Sequence, residues 1–466
     1  MMKRFRVPFA KPRAAARRSP VARMVLAGAL AAGLVGASSA IGAALGAERA
    51  PSAAGQIRPK THGHWVDTWV SMPQLTEPGN LPPAPFTQPN VVFADATLRQ
   101  TVRVTVGGQQ LRLRFSNAFG GAALPITKVA IALPAGGQAG VSAIQAGTTQ
   151  PVTFSGRTSV SVPVGAQIVS DPLNLDLAAG SNLTVTMYLA QGQATNNITS
   201  HPGSRTNSYM VGGDHVADAD LPGAASVAHW YFLSGVEMWS KPVITGAAIV
   251  GDSLTDGRGS TTNGNDRWPD QLFDRLHAHR ATSNIAILNQ AAGGNRVLND
   301  GLGPNALGRI DRDVLAQSGV TSMFIFEGVN DIGTADATAA AQQQTYDDLI
   351  TAFDQMVTRA HAKGIRVYAA TITPFGGNVP GYDDGSGVRD ATRQAVNQWI
   401  RTSHRFDGVV DFDKVARDPA APDRLLPAYD VGDHLHLNPT GYKALADAVP
   451  ATLLEPKPLP GDFGFN

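Results

Sequence analysis

The sequence predicts two architectures in series. An all-β sandwich, jelly-roll-like, is expected over residues 64–241, and an α/β unit with a parallel sheet between helical layers over 242–455. Three observations predict this. Up to Lys241 apolar residues recur at every second position, in short runs broken by Gly and Pro. From Pro242 onward short apolar runs alternate with longer amphipathic stretches, as strands joined by crossover helices do. Several later apolar runs stop at turns rich in Gly, Asn and Asp, which places polar residues at the carboxyl edge of the sheet, where open α/β sheets bind their ligands.

The chain of 466 residues suits two domains and a leader. Lys3, Arg4, Arg6, Lys11, Arg13, Arg17, Arg18 and Arg23 come before any acidic residue, and an apolar run, Met24 to Gly36, then leads into small residues through Ala47. A basic segment, a short apolar segment and a small-residue exit predict a signal peptide over 1–47, hence a secreted protein. The apolar run is too short to span a bilayer, so no stable membrane insertion is expected once the leader is cleaved. Residues 48–63 read as a disordered lead-in and 456–466 as a tail. With 38 basic and 37 acidic residues the net charge is +1, which implies no nucleic-acid partner. There is no cysteine, so disulfides, a thiol nucleophile and thiolate metal ligands are excluded.

Within 64–241 the run Thr97–Val106 alternates, meets Gly107-Gly108, and resumes as Gln110–Ser116, which predicts a β-hairpin. Runs at 127–133, 151–154, 158–162 and 182–188 continue the series. Trp65, Trp69, Trp230 and Trp239 are expected in a core rather than on a sugar-stacking surface. The connection Trp239–Val243 is short, so the β-domain should pack against the C-terminal half. In that second half, strands are expected at 243–250, 285–288, 323–326 and 365–372. Helices are expected at 266–276, at 345–363 up to Gly364, and after Pro439.

Four segments carry chemistry. Gly251-Asp-Ser253 ends the first of these strands, Asn289-Gln-Ala-Ala-Gly-Gly-Asn295 the second and Glu327-Gly-Val-Asn-Asp331 the third, while Asp433-His-Leu-His-Leu-Asn-Pro-Thr-Gly-Tyr442 lies near the end. A serine at a sheet edge is a candidate nucleophile, and it needs a base held by a carboxylate. Thr255 stands where a Gly-x-Ser-x-Gly elbow would have its second glycine, so this is not an ordinary α/β-hydrolase. Asp433 can reach a nearby imidazole and fix its tautomer; His434 and His436 compete for that role. His62/His64 and His277/His279 lack a third ligand, so neither a metal nor a cofactor is expected.

The order of the four blocks over residues 244–452 resembles the SGNH (GDSL-type) hydrolase family, whose blocks supply Ser, Gly, Asn and His. The resemblance implies an SGNH, flavodoxin-like, three-layer fold and a triad of Ser253, Asp433 and His436, the Asp-x-x-His spacing favouring His436 over His434. It further implies an oxyanion hole made of the Ser253 N–H, the Gly294 N–H and the Asn330 side chain, with Gly293 replacing Gly294 if the turn is one residue out of register. Asp252 and Asp256 are expected to shape the turn. Asp252 is also a candidate substrate-binding residue, as are His201 and Arg205 of the polar loop His201–Ser208. The implied activity is that of a secreted serine esterase that deacylates, notably deacetylates, small-molecule or polysaccharide esters. A lipase or short-acyl esterase is the nearest alternative; a non-catalytic carbohydrate-binding protein is the alternative of another class.

Overall fold

The computed structural model describes residues 62–455. The expected leader (1–47), the lead-in up to residue 61 and the tail (456–466) lie outside the described residues.

The main strands of the N-terminal half are β1 (His64–Val70), β2 (Ala96–Arg103), β3 (Gly108–Ser116), β4 (Lys128–Ala132), β5 (Gln150–Val152) and β6 (Gln167–Val169). They continue with β7 (Leu173–Leu177), β8 (Asn182–Leu189), β9 (Ser208–Gly212), β10 (Ala225–Val227) and β11 (Leu233–Ser240). One antiparallel sheet has the order β1-β11-β3-β6, with β7 also on β3; the other has the order β10-β9-β2-β8-β4-β5. Alternate residues point to a shared core: Leu98 and Val102 from β2, Val185 and Met187 from β8, and Leu111, Leu113 and Phe115 from β3. Burying each such side chain stabilises the fold by about 2 kcal/mol. Trp69 and Trp230 belong to this core and meet edge to face at 4.8 Å.

The expected hairpin over 97–116 does not form. β2 pairs with β8 and β9 in one sheet, while β3 pairs with β11, β6 and β7 in the other. The chain between them is clasped by Thr68, whose hydroxyl donates to Val106 O at 2.8 Å and accepts from the Val106 N–H at 2.8 Å. The Thr105 hydroxyl donates to Thr68 O at 2.6 Å. Alternation reports which face of a strand is buried; it reads the same whether two strands pair or face each other across a core.

In the C-terminal half β12 (Thr245–Gly251), β13 (Ile285–Asn289), β14 (Val320–Phe326), β15 (Arg366–Ala370) and β16 (Gly408–Val410) are all parallel. Their order is β13-β12-β14-β15-β16, the flavodoxin-like arrangement in which sheet growth reverses beside the first strand. The register aligns Ile249 with Asn289 and Gly251 with Phe326, so three polar turns leave the sheet at one edge. The main helices are α1 (Ser253–Asp256), α2 (Trp268–His277), α3 (Ala306–Ile310), α4 (Val329–Thr334), α5 (Ala339–His361), α6 (Val388–Thr402), α7 (Phe412–Ala416) and α8 (Pro439–Ala448). α8 packs on α2 and α7, while α5 packs on α3, α4 and α6. α5 starts six residues before the expected Thr345, because Thr338 caps it by accepting from the Ala341 N–H and the intervening Ala and Gln favour helix without apolar periodicity.

The β-region covers the edge of the parallel sheet. The Ile287 N–H of edge strand β13 donates to the Thr105 hydroxyl at 3.2 Å, and Val66, Val70 and Val106 belong to the core of the C-terminal half. Beside them the Asp67 N–H donates to Ser318 O at 2.9 Å, and Asp67 Oδ2 accepts from the Ser318 N–H at 2.8 Å. The approach is so close that a Cβ on Gly319, itself at φ +76°, would sit 2.8 Å from a Val66 methyl. Arg114 lies 2.6 Å from Asp67 and 3.4 Å from Glu237, which also pairs with Arg112 and accepts from the Ser318 hydroxyl. Burial pushes the Asp67 carboxyl up to about 6, against the pull of Arg114.

Removing one partner of a buried pair leaves a charge without compensation. Asp67→Ala is expected to lower stability by about 3 kcal/mol, read from the urea midpoint at unchanged m-value; a change under about 1 kcal/mol would show that Glu237 alone satisfies Arg114.

Candidate active site

Ser253 is the first residue of α1, immediately after β12. Asp252 caps that one-turn helix by accepting from the Leu254 N–H at 2.9 Å, and Gly257 ends it in the left-handed region at φ 93°. The Ser253 hydroxyl lies 2.7 Å from His436 Nε2, and His436 Nδ1 lies 2.7 Å from Asp433 Oδ2. The other oxygen of Asp433 accepts from the His436 N–H at 2.8 Å and the Leu435 N–H at 3.1 Å, so the segment holds its own carboxylate still. Burial opposes ionisation of Asp433, but the bonds from His436 outweigh it and hold the carboxyl below the usual range. Burial also lowers the His436 pKa, against the opposing pull of Asp433. His434 faces elsewhere: it is exposed and bonds Asp430 at 2.6 Å.

Across from this pair lie Gly294 and Asn330. Gly294 has φ +72°, and a Cβ on it would come within 2.4 Å of Leu302. No other residue fits there without moving that wall. Among the described residues nothing accepts from the Ser253 or Gly294 backbone N–H. Asn330 Nδ2 donates one hydrogen to Asn295 O at 2.8 Å, leaving the second free, while its Oδ1 accepts from the Tyr382 hydroxyl at 2.5 Å. That bond fixes which way the amide faces. Burial pushes Tyr382 up to about 12, so it stays a donor at neutral pH. Gly293, Gly294 and Asn330 all line one cleft of about 420 Å³ with Ser253 and His436.

The β-region builds part of that cleft, through Gln74, Glu77 and Asn80, through Pro202, Gly203 and Arg205, and through His229. Of the three substrate-binding candidates, only Arg205 reaches it. Asp252 is buried and used as a helix cap, and burial pushes its carboxyl up to about 7. His201 is also buried, with Nδ1 3.1 Å from Met72 O, Nε2 2.9 Å from Asp256 Oδ1 and its ring stacked on Trp230. It ties the β-region to α1 instead of facing the cleft. A polar loop in sequence does not say which of its side chains turn inward.

Sequence reasoning missed Tyr382 and Arg309. Tyr382 ends the Gly-rich segment after Pro374 and carries no motif. Arg309, fully buried in α3, donates to Gln290 O at 2.6 Å and to Asn295 Oδ1 at 3.0 and 2.8 Å, and lies 3.3 Å from Asp313 and 3.7 Å from Glu327. Burial, with Asp252 nearby, pushes Glu327 well above the usual carboxylate range despite Arg309. Asp331 accepts from the Val297 and Leu298 N–H groups at 2.9 and 3.0 Å and so joins the Asn330 turn to the Gly294 turn. Among the described residues no group of three or more His, Cys, Asp or Glu side chains could hold a metal ion, and no helix is long and apolar enough to cross a membrane.

This geometry sets two expected outcomes. Because burial lowers the His436 pKa, the imidazole stays neutral to lower pH than a free one; kcat/KM should fall on the acid side with an apparent pKa below 6.5. A pH–rate profile with its acid limb above that value would remove His436 as a candidate base. Tyr382→Phe deletes one hydrogen bond to Asn330, worth about 1 kcal/mol, so kcat should drop about fivefold with little change in KM. Steady-state kinetics decides this, a pure KM effect counting against it.

Residues 249–444 match the GDSL-like Lipase/Acylhydrolase family. No curated protein matches the chain. Solved structures similar to this chain include a protein assigned to the G-D-S-L lipolytic family from Desulfitobacterium hafniense (20% identity, 45% of this chain and 99% of that one, TM-score 0.34). Others are a GDSL-like lipase from Bacteroides thetaiotaomicron (15% identity, 45% and 87%, TM-score 0.32) and an acetyl xylan esterase (18% identity, 44% and 96%, TM-score 0.33).

Proposed function

We propose that the protein, an ester hydrolase whose residues 249–444 match the GDSL-like lipase/acylhydrolase family, cleaves carboxylic esters with Ser253 as nucleophile, His436 as base and Asp433 as the group that orients the base. The observation that carries this reading is the unbroken chain Ser253 Oγ–His436 Nε2, His436 Nδ1–Asp433 Oδ2, at 2.7 Å in both links. It faces a fixed amide and two backbone N–H groups that no acceptor among the described residues engages.

The steps follow from which atoms are free. His436 Nε2 takes the Ser253 proton as Oγ attacks the ester carbonyl, and Asp433 stabilises the imidazolium that forms. Negative charge then develops on the carbonyl oxygen. The N–H groups of Ser253 and Gly294 and the free hydrogen of Asn330 Nδ2 receive it, each such donor contributing about 3 kcal/mol. His436 returns its proton to the departing alcohol oxygen, and a water activated by the same imidazole releases the acyl group and restores Ser253.

The alcohol we infer is a sugar unit, free or within a polysaccharide. Support comes from the cleft wall, where Arg205, Arg258 and His229 offer donors to a hydroxyl-rich group. A secreted location fits such a substrate and rests on the basic and apolar pattern of residues 3–47.

Ser253→Ala is expected to lower kcat at least a hundredfold on p-nitrophenyl esters with the unfolding midpoint unchanged, and His436→Ala as much. The double variant should be little worse than either single one. Retention of more than about a hundredth of kcat in Ser253→Ala would refute the mechanism. Acylated xylan and pectin, assayed beside simple alkyl esters, test the sugar assignment, which fails if the simple esters are preferred.

A further inference from the structure

A second cavity, of about 920 Å³, lies beside the catalytic cleft. Leu75, Pro78 and Leu81 form one wall, Phe119 another, and the loop Gly301–Pro304 closes it from the C-terminal half. The two spaces share Glu77, and neighbouring residues divide between them: Gln74 and Leu302 line the cleft, Leu75 and Gly303 the cavity. Leu302 is also the side chain against which Gly294 packs. The cavity therefore adjoins the side of the cleft where the carbonyl oxygen is received. Leu435 and His436 line the cleft and not the cavity.

Several polar groups around the cavity are engaged, Thr87 Oγ1 being an exception. Glu77 accepts from Gln74 at 2.5 Å and from Asn80 at 2.9 Å, and Asp300 accepts from the Asn305 backbone and side chain at 2.8 and 2.7 Å. Asn196 accepts from the Asn90 N–H at 3.0 Å and donates to Gln88 O at 3.0 Å. What is left to meet a ligand is mainly leucine, proline and phenylalanine surface. Leu75 and Leu302, 45% and 51% exposed, are among the large apolar side chains the fold leaves uncovered, and they flank this boundary. A volume near 900 Å³ falls within the roughly 300–1,000 Å³ of small-molecule sites.

Resting on the reading of Ser253 and His436 as nucleophile and base, we propose that this cavity binds the acyl group of the ester, and that the acyl group is apolar and larger than acetyl. When the tetrahedral intermediate collapses, the bond from carbon to the alcohol oxygen breaks and His436 protonates that oxygen, so the alcohol lies on the His436 side. The remaining carbon substituent, the acyl chain, points away from His436, past Leu302. The polar cleft takes the sugar and the apolar cavity takes the chain.

The test compares kcat/KM for p-nitrophenyl acetate, butyrate and octanoate in the wild type and in Leu75→Arg. Each added methylene that enters the cavity should raise kcat/KM about fourfold, so octanoate, with six more methylenes, should exceed acetate by well over a hundredfold. Leu75→Arg, which sets a charge at the mouth, should cut the octanoate-to-acetate ratio at least tenfold. A ratio cancels any loss of folded enzyme. The proposal is overturned if the wild type shows no chain-length preference, if Leu75→Arg leaves the ratio unchanged, or if the preference resides in the alcohol when octyl acetate is compared with ethyl acetate. Failure of the triad reading is seen separately, as acetate hydrolysis that survives Ser253→Ala.

Discussion

A buried guanidinium, that of Arg309, sits beneath the edge of the sheet that carries Ser253, Gly294 and Asn330. Arg309 is held by carbonyl and amide oxygens of the turn after β13, lies 3.5 Å from Gly251 O at the end of β12 and pairs weakly with Glu327 at the end of β14. Its planar fork can address three strand ends at once, which a lysine ammonium could not. A buried cation needs compensation, and Asp313, 3.3 Å away, supplies it together with the oxygens of Gln290 and Asn295. Asn295 passes the constraint on: its side chain accepts from Arg309 and its backbone oxygen accepts from Asn330. The free hydrogen of Asn330 thus has a direction set by Tyr382 at the cleft wall and, behind it, by Asn295 and Arg309, which do not line the cleft.

The β-region is part of the enzyme's working structure. It shields the edge strand of the parallel sheet, which would otherwise offer unpaired backbone groups for association. It gives three valines to the other half's core and a set of polar side chains to the cleft. Through His201 it also grips Asp256, the last residue of the one-turn helix that starts at Ser253. A helix that short has no stability of its own. The Asp252 cap, the left-handed Gly257 and the His201 bond supply it from outside, so the position of Ser253, the proposed nucleophile, costs little to hold.

The likeness between the sequence reading and the structure is closest where interactions are local. Asp433 and His436 are three residues apart and bonded through both backbone and side chain, so the pairing lies within a short stretch of chain, although in the sequence His434 competes for it and the family pattern favours His436. The strand–turn blocks around Ser253, Gly294 and Asn330 were legible for the same reason: a buried strand followed by a turn is written in consecutive residues. Tyr382 was legible only as a tyrosine in a polar segment, because its partner, Asn330, lies 52 residues away.

Sequence by itself determined the alternation of strands and helices in the C-terminal half, the all-β character of the N-terminal half, and the local pairing of Asp433 with a nearby histidine. Each of these is encoded by periodicity or short spacing. Tertiary structure decided everything that depends on which surface meets which. It sent the two strands around Gly107 into different sheets, brought His436 across 183 residues to Ser253, turned His201 inward to Asp256 and left Arg205 at the cleft. A pattern of apolar residues states that a face will be buried, but the partner on the other side is chosen by the packing of the whole chain.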